Sequence, residues 1–143
     1  AGSRYRWLTP GKTTDNYGFA AWVEANREDL LKLGPGYHYG EWWGAGIQRG
    51  YGLTERRFSL FNTERWGIPG SRPACCDVVP VLWKHDNITL AVSCGIEHLK
   101  HSGSMAAPGF RNPEGIVAFH TASGALFKVT LKGDAFPKGQ VQP

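Results

Sequence analysis

Apolar side chains recur at helical spacing early in the chain. Phe19, Trp22, Val23, Leu30 and Leu33 fall on one stripe, Asp15 or Asn16 stands ready as a cap, and Gly34-Pro35-Gly36 ends the run. This spacing predicts a helix over residues 18–33. After it the period changes. Residues 37–43, 57–62, 77–83, 115–120 and 125–131 are short, rich in aromatic or branched side chains, and bounded by Gly, Pro or Asn, so they read as five strands. A second helix is expected over 91–100, followed by a polar Gly/Ser/Pro connection over 101–113. Residues 3–7 alternate polar and large side chains and read as a strand remnant that starts abruptly.

The 143 residues are enough for one compact domain with its own core. Apolar residues at 41%, with six Trp, seven Phe and five Tyr, exclude a disordered chain, because those side chains offset the entropy of ordering. Nineteen Gly and nine Pro without a period favour short strands joined by turns over a helical bundle. No apolar run approaches the ~20 residues that span a bilayer, and no signal sequence opens the chain. Cys75, Cys76 and Cys94 build neither a disulfide ladder nor a CxxC metal pattern, so a cytoplasmic, reducing location is expected. The net charge of +4 favours an anionic partner such as a nucleotide or nucleic acid, although many ordinary domains carry as much.

Candidate chemistry starts at Gly40-Glu41-Trp42-Trp43-Gly44, one carboxylate among aromatics, followed by Ala45-Gly46-Ile47-Gln48-Arg49-Gly50. Glycines there let a ligand approach the backbone closely. Taken alone, the segment is equally a strand whose glutamate faces solvent. Further on come Arg57-Phe58-Ser59-Leu60-Phe61-Asn62, Asn112-Pro113-Glu114-Gly115-Ile116-Val117 and Leu126-Phe127-Lys128-Val129-Thr130, in that order.

Taken as a series, these segments resemble the nucleotidyltransferase domain of the RNA ligase family, in particular the second phage-type RNA ligases. In covalent nucleotidyltransferases they correspond to motifs III, IIIa, IV and V. The resemblance covers about residues 3–131. It implies an α+β, ATP-grasp-like domain of antiparallel sheets with one or two flanking helices, walling an adenosine pocket and incomplete at its N-terminus, so that residues 1–143 form a single partial domain. By the resemblance Glu41 contacts the ribose and Phe61 stacks on adenine. Phe58 cannot share that task, since alternation puts it on the opposite strand face. Glu114 holds Mg²⁺ or Mn²⁺ at the phosphates, Lys128 neutralises the α-phosphate, and Arg4 contacts phosphate. Each also has a plainer reading: Phe61 as core, Glu114 as a turn residue, Lys128 as an edge-strand charge, and Arg4 and Arg6 as solvated surface. Where the family often has a second lysine two positions beyond the first, Thr130 stands here, with Lys132 on the same strand face.

The family attacks ATP with the lysine of K-x-D-G, and no such motif occurs in the 143 residues. Lys84-His85-Asp86-Asn87 imitates it but follows segments it should precede. Gly11-Lys12-Thr13 imitates a P-loop ending, but Arg6 stands where that pattern needs glycine. The nucleophile is therefore expected upstream of Ser3 or on a partner chain. The resemblance implies an ATP-dependent enzyme joining RNA 5′-phosphate and 3′-hydroxyl ends through an AMP intermediate, with this chain inactive by itself in self-adenylation. The alternative is a non-catalytic nucleotide- or RNA-binding module of the same fold.

Overall fold

The computed structural model describes residues 1–131. It is a mixed α+β structure whose chain divides into two compact units, Ala1–Val79 and Pro80–Pro143.

In the first unit the expected long helix is two short ones, α1 (Phe19–Ala25) and α2 (Arg27–Leu31). The break falls at Asn26 (φ −108°, ψ 18°), whose side-chain amide donates to the Trp22 carbonyl at 2.8 Å. Asn competes with the helix for backbone partners in this way. Asp15 does serve the helix entrance: its carboxylate accepts from the N–H groups of Asn16, Ala20 and Ala21 at 2.6, 2.7 and 3.1 Å. Burial pushes this carboxyl up, but the three donors and Arg6 outweigh it and hold Asp15 below its ordinary value.

The helices cover a small sheet. Strand β1 (Gly40–Gly44) pairs antiparallel with β2 (Arg56–Leu60), and β3 (Asp77–Val78) joins β2 in parallel. The residues that alternate inward are Trp42, Phe58, Leu60 and Val78, and they meet Phe19 and Trp22 of α1 together with Leu33, Trp66 and Cys76. Phe19, Trp22, Trp42 and Phe58 form an aromatic cluster with centroids 5.2–6.0 Å apart. Such contacts add about 0.5–1.5 kcal/mol per pair beyond simple burial.

Three further expectations for this unit fail. Residues 3–7 are not a strand: Ser3 donates its N–H to the Arg6 carbonyl at 2.8 Å, and its hydroxyl accepts from the Arg6 N–H at 3.2 Å, closing a tight turn with a single bridge between Gly2 and Trp7. Strand β3 ends after two residues instead of running to 83, because Pro80 has no N–H to continue a ladder. Asn62, expected at the end of a strand, instead caps α3 (Thr63–Trp66), its side chain accepting from the Arg65 N–H at 3.1 Å.

In the second unit, α4 (Ile88–Ser102) is longer than expected. Asn87 caps it, accepting from the N–H groups of Thr89 and Leu90 at 2.9 and 3.2 Å. The K-x-D-G imitation over residues 84–87 thus has a structural use as a helix start. Strands β4 (Gly115–His120) and β5 (Ala125–Thr130) form an antiparallel hairpin. Helix α4 packs on β4, where Gly95 leaves room for Ile116: a Cβ there would lie 3.3 Å from the isoleucine Cδ1. No helix among the described residues is long and apolar enough to cross a membrane.

Candidate functional site

The expected site residues fall into two pairs, one in each unit, and Arg4 lies in the N-terminal turn of the first.

In the first unit, Glu41 lies opposite Ser59 across the β1–β2 ladder. The ladder extends one step past β2, since the Phe61 N–H donates to the Tyr39 carbonyl at 3.0 Å. Alternation then places Tyr39, Glu41 and Trp43 with Ser59 and Phe61 on the face turned away from the aromatic core. Phe58 is 8% exposed and belongs to the core, whereas Phe61 is 48% exposed, so of the two rings Phe61 is the one a ligand can reach. The geometry also adds residues that reading the sequence missed. Trp43 donates its indole N–H to the buried Ser59 hydroxyl at 2.9 Å and meets Tyr51 edge-on at 5.5 Å, which fixes the surface beside Glu41. The alternation of side chains was the available signal for Trp43 and Ser59.

The glycine closing this motif is a steric requirement. Gly44 has φ +111°, and a Cβ on it would lie 2.4 Å from the Glu55 carbonyl oxygen. Only the missing side chain lets β1 turn there while Ala45 donates to that same carbonyl at 2.9 Å. Arg56 braces the turn through the carbonyls of Ala45 and Tyr17 at 2.9 and 2.6 Å.

In the second unit, Lys128 on β5 and Glu114 just before β4 form an ion pair with Nζ to Oε1 at 2.5 Å. The hairpin register makes this possible. Lys128 lies across from Val117, and the Glu114 carbonyl accepts from the Leu131 N–H at 2.8 Å. Gly115 between them is again demanded by packing, since a Cβ there would lie 2.1 Å from the Val129 oxygen. Both charged side chains remain partly open, 58% for Lys128 and 30% for Glu114. Thr130 shares the strand face of Lys128 two residues on, while Lys132 lies outside the described residues.

Arg4 lies exposed in the N-terminal turn. Its neighbour Arg6 is committed to structure, donating to the carbonyls of Thr13 and Asp15 at 3.2 Å each.

The residues suit the ligands that the resemblance implies. An open aromatic ring and a carboxylate on one sheet face match a nucleoside. Among the described residues no group of three or more His, Cys, Asp or Glu could cage a metal. Mg²⁺ needs no such cage: it keeps several waters and takes one or two carboxylates beside substrate phosphates, which Glu114 fits.

No family model matches the chain. Nor does any curated protein or any solved structure.

Proposed function

We propose that the chain is the nucleotide-binding part of an ATP-dependent adenylyltransferase of the RNA ligase type, with the ATP-grasp-like arrangement of that family. The observation that carries this reading is the pairing. Four segments scattered over the sequence deliver Glu41 and Phe61 to one solvent-facing sheet surface, and Glu114 and Lys128 to direct contact on a hairpin.

In this reading the Phe61 ring stacks on the adenine, and the Glu41 carboxylate accepts hydrogen bonds from the ribose hydroxyls. Within the second unit, the resemblance makes Lys128 the cation for a phosphoryl group, where negative charge builds during transfer. Glu114 would hold the divalent ion, Mg²⁺ or Mn²⁺, which spreads the phosphate charge. When phosphate and cation bind this hairpin, each member of the ion pair exchanges one opposite charge for another, Lys128 for phosphate and Glu114 for the cation. Neither is left unpaired.

The attacking amine belongs to a K-x-D-G lysine outside these 143 residues. It forms a P–N bond to the α-phosphorus as pyrophosphate leaves. An RNA 5′-phosphate oxygen then takes the AMP from the lysine, and a 3′-hydroxyl attacks the activated 5′-phosphorus and expels AMP.

The test is incubation with α-labelled ATP and magnesium. A protein that carries both this chain and its K-x-D-G segment should take up covalent AMP, and the 143 residues alone should not. The last step does not use the lysine, so the chain alone should join a 5′-adenylylated RNA to an RNA 3′-hydroxyl. Absence of covalent AMP on the longer protein would sink the enzyme reading. Binding of nucleotide or RNA with no adenylate under any condition would support the non-catalytic module instead.

Phe61→Ala should weaken ATP binding by about 1–3 kcal/mol, the range for loss of one base–aromatic stack. Equilibrium dialysis with labelled ATP checks this. Affinity unchanged within twofold would remove Phe61 from the site.

A further inference from the structure

The adjacent cysteines Cys75 and Cys76 take no part in the function proposed above. Successive residues of a strand point to opposite faces, which would separate two neighbouring thiols. Here the pair lies in the turn before β3, and the two Sγ atoms sit on the same side, 3.9 Å apart. The turn is held from three directions. The Cys76 N–H donates to the Pro73 carbonyl at 3.0 Å, and Arg72 donates to the carbonyls of Cys76 and Trp66 at 3.1 and 3.0 Å. Both cysteines are free thiols, Cys75 partly exposed and Cys76 buried.

The separation has a chemical meaning. A trivalent centre is pyramidal, with S–centre–S angles below the tetrahedral value, so it holds its two sulfurs somewhat closer than the 3.9 Å found here, and the pair needs to close only slightly on capture. Cys75 also lines a polar cleft of about 400 Å³ together with Glu55, Arg56, Arg57, Ala74 and Asp77, so a small molecule can reach Cys75, while Cys76 is buried. Zinc would want four ligands, and among the described residues no group of three or more His, Cys, Asp or Glu could hold a metal ion. A centre that needs only two sulfurs fits better.

We propose that Cys75 and Cys76 form a chelating dithiol site for a soft, thiophilic trivalent centre, of which a monosubstituted arsenical is the type. The step balances without an oxidant. The arsenic of R–As=O forms two As–S bonds, its oxygen leaves as water with both thiol protons, and arsenic stays trivalent. Burial, and then the Cys75 sulfur beside it, push the Cys76 thiol up to about 12. Cys76 therefore meets the arsenical as a thiol.

The experiment is native-state labelling of the chain with phenylarsine oxide, followed by mass spectrometry and thiol titration. One adduct should form, consuming two of the three thiols. It should survive excess 2-mercaptoethanol and be removed by 2,3-dimercaptopropanol, the mark of a two-point chelate. Cys94→Ser should leave it unchanged and Cys75→Ser should abolish it. No adduct, an adduct stripped by the monothiol, or one retained by Cys75→Ser would each overturn the proposal. The thiol count and the reversal pattern are read on the unsubstituted chain, so the result does not depend on a buried-site variant folding.

Discussion

Leu60→Ala should lower the stability of the first unit by about 2–5 kcal/mol, the range for emptying a fully buried leucine site. Leu60 is 0% exposed and packs among Leu33, Phe58, Trp66 and Cys76. The backbone offers little room to collapse into the cavity, because β2 is paired on both sides. Its antiparallel partner is β1, and on the other edge the Val79 N–H donates to the Leu60 carbonyl at 3.0 Å. A loss of that size is a large share of the ~5–15 kcal/mol that holds a typical domain. Urea unfolding followed by tryptophan fluorescence checks it, since Trp7, Trp22, Trp42, Trp43 and Trp66 all lie in the first unit. Leu90→Ala is the control: that side chain is 49% exposed, and its loss should cost roughly 0.5 kcal/mol or less. A Leu60→Ala loss under about 1 kcal/mol would show that the core lies elsewhere. The effect should reach function as well. Leu60 anchors the strand from inside while Ser59 and Phe61, its neighbours in sequence, face the other way, so a loosened core lets the Phe61 ring drift.

That same alternation explains what could be read from the sequence. Strand β4 begins and ends where expected, and β5 falls one residue short of the expected end. Strand β4 has a side against α4 and a side away from it, and period-two patterning registers this directly. Phe58 and Phe61 were separable for the same reason, since three positions along a strand change the face. The failures share a different cause. Asn26 and Asn62 each act through a side-chain hydrogen bond to a backbone group a few residues away, one breaking a helix and the other starting one. Propensity cannot distinguish these uses. Residues 77–83 read as a strand on composition, yet a strand needs a partner and a donor at each rung, and Pro80 withholds one. In the site, contacts that depend on register stayed hidden. Lys128 and Glu114 stand 14 residues apart, and only the hairpin pairing brings them together. Trp43 and Ser59 are 16 apart and meet in the same way.

Lys128→Ala should slow covalent AMP formation by about 10²–10³-fold in the protein that also carries the K-x-D-G lysine. That is the usual cost of removing one preorganised group from a developing oxyanion. The fold should hardly notice. The Lys128–Glu114 pair is solvent-accessible, and such pairs contribute about 0–1 kcal/mol, so the melting temperature should stay almost fixed while the rate collapses. Lys128→Arg keeps the charge but spreads it over a planar fork, and should recover only part of the rate. Glu114→Gln separates the two roles, because a neutral amide binds a divalent cation poorly. That variant should need more magnesium to reach its maximum, whereas Lys128→Ala should keep the ordinary magnesium midpoint at a lower plateau. The measurement is single-turnover labelling with α-labelled ATP across a magnesium titration. A Lys128→Ala rate within threefold of the unsubstituted protein would return this lysine to the status of a surface charge. With it would go the reason for placing the phosphate chemistry on this hairpin.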